Sequence, residues 1–172
     1  PTLTTAESYA SIFSEGRAEF RRRDLDYDTH PEIVASPEDA IELRRVCIFN
    51  RARTRRMIEV TSYAEVVLAR ADADAMHPAF SNLFVQTEIV PSRRAIICTR
   101  RPRSLAEHSP WLFHLLAVHD AVVSDASYAT DRSTFIGRGR NAAAPVALTG
   151  PAAWSGSQGS VPDPLVAIRR HV

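Results

Sequence analysis

The sequence predicts an all-β chain, an antiparallel β-sandwich that runs into a long, loop-rich C-terminal segment. Three observations carry this reading. Apolar residues recur with period two in several short runs, turn residues punctuate those runs, and from about 124 to 164 glycine, proline, serine and alanine replace the periodic pattern. Loops of that length inside a folded domain usually carry function or lack fixed order.

The elements follow in chain order. Ser8 to Phe13 and Arg17 to Phe20 flank Ser14-Glu15-Gly16, which suits a hairpin whose glycine supplies the unusual backbone angle. Asp24 to Asp28 interleaves Leu25 and Tyr27 with acids, and Thr29 to Ala35 continues extended past His30-Pro31, so the first third reads as a meander. Ser36-Pro37-Glu38-Asp39 has the N-cap serine, first-turn proline and early acids of a helix start. Ile41 to Phe49, however, alternates through Ile41 and Leu43 and then changes face to Val46 and Ile48, as a bulged strand would.

Residues 58 to 68 place Ile58, Val60, Ala64, Val66 and Leu68 on one face of a half-buried strand. Residues 83 to 90 do the same with Leu83, Val85, Thr87 and Ile89, and the apolar 94 to 99 reads as a strand buried on both faces. Ser109-Pro110 again looks like a helix front, but the apolar run Trp111 to His119 has the length of a fully buried strand. Periodicity returns only at Leu165 to Ile168.

A chain of 172 residues with 45% hydrophobic residues has room for one sizeable core, so a single domain over 1–172 is expected. Its ends look cut from a longer chain. No leader pattern and no apolar run of membrane-spanning length occur within it. Cys47 and Cys98 sit in apolar runs and outside any CxxC pair, which favours free thiols and a reducing compartment. All 21 basic residues are arginine, against a formal net charge of +1. Arg21-Arg22-Arg23 and Arg51 to Arg56 have acids beside them and no aromatic platform between them, so nucleic acid is not an expected partner. The histidines His30, His77, His108, His114, His119 and His171 lack convergent ligand spacing, and no metal or other cofactor is expected. The acids Asp24, Asp26, Asp28, Glu38, Asp39, Asp72, Asp74 and Asp131 fall at turns and on alternating faces, where carboxylates are usually solvated.

Several motifs, taken in order, resemble one family: Phe20-Arg-Arg-Arg-Asp24, Glu42-Leu-Arg-Arg-Val46, Glu59 to Leu68, His77-Pro-Ala-Phe-Ser-Asn-Leu-Phe84, Thr130-Asp-Arg132, Phe135-Ile-Gly-Arg-Gly-Arg140 and Ser155 to Pro164. The chain is similar over nearly its whole length to the glycoside phosphorylases related to cellobiose and chitobiose phosphorylase, and within them to the phosphorylase-like part of bacterial cyclic β-1,2-glucan synthases. That resemblance implies a supersandwich-type domain and makes strands of both ambiguous segments. It implies that the general acid for phosphate attack on an anomeric carbon lies in a separate helical barrel downstream. The chain itself is then a non-catalytic accessory domain that shapes the glucan site and its interface. The expected partners are β-glucan and phosphate through the parent enzyme, the catalytic barrel, and a second copy in a homodimer. A cytoplasmic location is implied, with any tether to the bacterial inner membrane in other parts of the parent chain. A purely carbohydrate-binding or structural-interaction module is the alternative.

Within the loop-rich segment, Asp131 to Arg140 is the stretch most suited to binding, because glycine-flanked arginines present planar donors to phosphate or sugar hydroxyls. Arg138 and Arg140 are the candidates, with Asp131 and Arg132 at the base of the stretch. Pairing of these arginines with acids across an interface is the competing reading. Trp154, in a Gly/Ser-rich context, could stack on a sugar face or pack against a neighbour.

Overall fold

Among the described residues, eleven antiparallel strands in three sheets carry most of the regular backbone. The computed structural model describes residues 4–102, 104, 107–150 and 154–172. The chain divides into two units, Leu3–Arg56 and Met57–Val172.

The first unit is a meander of β1 (Ser8–Ser14), β2 (Arg17–Asp24), β3 (Tyr27–Ala35) and β4 (Glu42–Asn50), paired in that order. The expected hairpin is present. Gly16 turns it at φ 69°, and Leu25 takes the left-handed region at the next turn. The helix start at Ser36 is not followed by a helix. The Ser36 hydroxyl accepts hydrogen bonds from the Glu38 and Asp39 N–H groups at 3.3 and 3.1 Å, which satisfies a tight turn, and the chain then enters β4. The expected bulge is also absent, since β3 and β4 keep unbroken register from Tyr27↔Asn50 to Ala35↔Glu42. Leu43 and Val46 simply project from opposite faces, both exposed.

The second unit is a two-layer sandwich. Its first layer is β5 (Glu59–Glu65), β11 (Pro164–His171) and β9 (Ser127–Asp131), with β11 central. Its second layer is β10 (Gly159–Ser160), β6 (Val85–Val90), β7 (Ala95–Arg100) and β8 (Trp111–Leu115). Val66, Leu68, Val85, Ile96, Cys98, Val166 and Ile168 meet between the layers as one buried cluster. Of the even-numbered apolar face expected of 58–68, Val66 and Leu68 lie in it and Ala64 packs against it, although the strand itself ends at Glu65. The alternate residues of β6 also point into it, while β7 is largely buried, as its apolar sequence requires.

Three features differ from expectation. The run 83–90 does not begin as a strand: short helices α1 (Ala71–Met76) and α2 (Pro78–Asn82) precede it, and Leu83 ends α2 with its side chain exposed. Pro78 at the first turn explains the new helix start after His77. The run 111–119 is not a fully buried strand, because only Trp111–Leu115 pairs with β7, and Trp111, Phe113 and Leu115 are 62%, 65% and 62% exposed. The segment from 124 is less irregular than its composition suggests. It contains β9, whose small Ala129 and Thr130 fit the core beside β11, and a third helix, α3 (Arg132–Ile136).

The Gly/Ser-rich motif Ser155 to Pro164 works as a strap across the sandwich. Thr130 donates to the Ser157 carbonyl at 2.6 Å, Thr87 donates to that of Gly159 at 3.2 Å, and the Ile89 N–H donates to the Gln158 side-chain carbonyl at 2.8 Å. Gly159, at φ 99°, allows the turn into β10.

Neither cysteine is in a disulfide. Cys98 lies in the sandwich core, where burial pushes its thiol up to about 12, whereas Cys47 is half-buried on β4. Because the thiolate is the reactive form, a disulfide reagent should modify one thiol per native chain and both after denaturation. Equal reaction of both thiols in the native protein would contradict the placement of Cys98.

Candidate functional site

Asp131 closes β9 and caps α3. Its carboxylate accepts from the Ser133 N–H at 2.8 Å and the Ser133 hydroxyl at 2.7 Å, the expected N-cap arrangement. Arg132 is fastened from both sides. Its Nε donates to Glu65 of β5 at 3.1 Å, Nη1 lies 3.7 Å from Asp163, and its backbone N–H donates to the Asp163 carbonyl at 2.9 Å. The same carboxylates hold the Arg132 guanidinium pKa above its ordinary value, through the hydrogen bond it donates to Glu65 first. Asp131 and Arg132 thus anchor the start of α3 to β5 and to the strap.

The other end of α3 is fastened by packing. Phe135 and Ile136 are buried with Ala129, Leu165 and Ala167. The Phe135 ring stacks on Tyr63 with centroids 5.4 Å apart and takes the edge of Trp154 at 5.3 Å. The Arg169 guanidinium lies 4.6 Å from the centre of the Trp154 ring, and the indole N–H donates to the Ala147 carbonyl at 3.4 Å. Trp154 is therefore a packing residue of its own sandwich, half-buried between Phe135 and Arg169. Tyr63 donates to Glu65, and burial followed by that acceptor pushes its phenol up to about 12, so it stays neutral across the physiological range.

From this base Gly137-Arg138-Gly139-Arg140 projects. Gly137 has φ 85° and ψ 157°, a conformation reserved for glycine. Arg138 and Arg140 are both exposed. Arg140 reaches the Ala144 carbonyl at 3.4 Å and the Thr149 hydroxyl at 3.5 Å, while Arg138 has no ion pair among the described residues. The structure therefore brings Asp131, Arg132 and Trp154 to one anchored base and places Arg138 and Arg140 at its tip. Chemically this is a fixed loop offering guanidinium donors outward.

A second polar cluster lies in the first unit. Glu19 on β2 and Glu32 on β3 are directly opposite and buried, His30 lies 3.2 Å from Glu19, and the ligand atoms of the three fall within 4.8 Å of one another. Arg17 pairs with Glu19 and approaches Glu32, Arg21 lies 4.0 Å from Glu19, and Arg45 pairs with Glu32. The Arg45 guanidinium holds the Glu32 carboxyl below the usual range. Three arginines outweigh two carboxylates, so the cluster is a compensated ion-pair network and offers a divalent cation little attraction. Histidine spacing alone concealed it. The tight turn at Leu25 was the available signal, because it pairs residue 19 with residue 32.

Other acids that the sequence suggested were solvated are held by arginine: Asp24 by Arg22, Asp28 by Arg23 and Arg51, Asp26 by Arg56, and Asp72 by Arg70. Among the described residues no helix is long and apolar enough to cross a membrane.

Against known proteins, residues 1–172 match the family described as glycosyl hydrolase 94, supersandwich domain. The whole chain is 36% identical to a segment of the cyclic beta-(1,2)-glucan synthase NdvB of Rhizobium meliloti (strain 1021), and it spans 6% of that relative's length.

Proposed function

The chain belongs to the glycosyl hydrolase 94 supersandwich-domain family, and from that premise we propose that it is a non-catalytic accessory domain of a β-1,2-glucan synthase or phosphorylase. Its role is to shape the glucan site and interface of a helical-barrel catalytic domain in the same parent protein. The observation that carries this reading is the loop at the end of α3. It is rigid at its root, through Asp131, Arg132 and Phe135, and cationic at its tip, where Arg138 and Arg140 face outward. A preorganised guanidinium suits phosphate and sugar hydroxyls, which need donors held in place.

The electrostatics agree with an accessory role. A general acid needs a carboxyl pKa raised towards neutrality. Neighbouring arginines instead hold the carboxyls of Asp24, Asp28, Glu32 and Asp72 below their ordinary range, so these four are poor candidates for one. Isolated chain incubated with β-1,2-glucan and phosphate should release no sugar phosphate.

The decisive measurement replaces the matching segment of the Rhizobium meliloti relative with this chain. Arg138→Ala with Arg140→Ala should lower glucan turnover of the chimera about 10-fold or more, as expected when a charge-assisted contact to a reacting partner is lost, with unchanged melting temperature. Undiminished turnover would remove these arginines from the site and with them the accessory reading.

A further inference from the structure

The outer face of the β6–β7–β8 layer carries a second feature, distant in sequence from the α3 loop. Register sets Gln86, Thr99 and Trp111 in one cross-strand row, and Glu88, Ile97 and Phe113 in the next. Directly opposed residues share a face, so these rows form one surface. Trp111 and Phe113 stack with centroids 6.2 Å apart and planes 15° from parallel, and both remain mostly exposed. A stacked, exposed tryptophan and phenylalanine on a rigid strand make a flat apolar platform.

Beside this platform an open cleft of about 510 Å³ is lined by Gln86, Thr99, Arg101, Glu107, His108 and Trp111, among others. That volume lies in the range of small-ligand sites, about 300–1,000 Å³. The lining offers donors from Arg101 and Gln86 and an acceptor in the Gln86 carbonyl. Ser109, also in the wall, has a buried hydroxyl oxygen without a hydrogen-bond partner among the described residues. Each candidate occupant makes a different demand on such a wall. A free phosphate needs donors only and gains nothing from an aromatic platform. An acyl chain gains nothing from the charged lining. A carbohydrate presents both an apolar ring face and hydroxyls that donate and accept, which is the combination found here.

We infer that the Trp111 cleft is a glucan-chain binding site, in which a sugar ring stacks on Trp111, the next lies towards Phe113, and Gln86 and Arg101 hold hydroxyls. The choice of β-glucan as ligand rests on the functional reading above; the location rests on the cleft itself.

Titration calorimetry of the 172-residue chain with linear β-1,2-glucans of graded length tests this. Binding should strengthen with length until the platform is filled. Trp111→Ala should weaken it at least about 10-fold, as for removal of a central aromatic anchor, and Trp111→Phe should retain most of it. Trp111 is exposed, so an unaltered melting temperature separates lost binding from lost folding. Absence of glucan binding, or equal binding by Trp111→Ala, overturns the inference, as does a concentration-dependent self-association abolished by Trp111→Ala without any glucan binding. Direct binding and chimera turnover keep the two proposals distinguishable. No binding with Arg138-dependent turnover sinks the cleft alone, and Trp111-dependent binding with Arg138-independent turnover sinks only the accessory reading.

Discussion

Ile168→Ala should destabilise the sandwich unit by about 2–5 kcal/mol, the range for truncating a buried isoleucine to alanine. Ile168 lies on β11, the central strand of its layer, fully buried against Val66, Val85, Ile96 and Cys98 from both layers. Support on both sides leaves little room for collapse around the missing atoms, which places the expected cost in the upper half of that range. Domains have only about 5–15 kcal/mol in total, so this one change removes a large share. With a urea slope of about 2 kcal/mol per molar, the middle of the usual range, the midpoint should fall by roughly 2 M. Leu43→Ala, at a side chain 64% exposed on β4, should stay within about 0.5 kcal/mol of wild type. Equal effects from the two substitutions would contradict the core described above.

Gly137→Ala should cost about 2–4 kcal/mol by a different route. Its backbone angles are strained for any residue with a Cβ, at about 1–3 kcal/mol, and the added Cβ would come within 2.9 Å of Val146 Cγ1 and 3.0 Å of Val146 Cβ. Crowding of that kind adds about 1–3 kcal/mol less whatever relaxation recovers. Gly139→Ala is the comparison without crowding, because Gly139 also has a positive φ, 72°, but nothing near the site of a new Cβ. Combining Gly137→Ala with Val146→Ala should recover the crowding component and leave the strain, a double-mutant cycle read from chemical denaturation. If Gly137→Ala proves as mild as Gly139→Ala, the 3-10 turn at Val146–Leu148 does not pack on the end of α3 as described.

The strands visible in the sequence were those with one dry face and one wet one. Val60, Ala64, Val66 and Leu68 alternate with Glu59, Thr61 and Glu65, and the structure buries Val66 and Leu68 and half-buries Val60 and Ala64. Periodicity fails where both faces are apolar, since Trp111, Phe113 and Leu115 on the open face of β8 are as hydrophobic as Leu112 on the closed one. It fails also where core residues are small: β9 enters the core through Ala129 and Thr130, which blend into an Ala/Ser-rich segment. Ser36-Pro37 shows the limit of local chemistry. The serine caps, as its pattern demands, but β3 and β4 compete for the chain and the pairing prevails over the helix.

The base of the α3 loop was legible as a place and not as a geometry. Gly137-Arg138-Gly139-Arg140 marked an exposed cationic tip. Arg132's partner Glu65 lies far away in the chain and is brought near only by β5 and β9 flanking β11. Trp154 carried a misleading signal, because its Gly/Ser-rich neighbours suggest a loop open to ligand, whereas Phe135 and Arg169 already occupy its ring.

The position of β11 between β5 and β9 also bears on how the protein is made. Synthesis runs from N to C terminus, so β5 and β9 leave the ribosome before the strand that joins them, and Leu165 must find Glu65 across most of the chain. Until β11 emerges, the first layer has two unjoined edges and an open hydrophobic face, a state prone to mispairing. Non-local pairing of this kind is intrinsically slow. The β6–β7–β8 hairpins and the β1–β4 meander are built from neighbouring strands, so they can form while translation continues, and closure of the sandwich becomes the late, committing event.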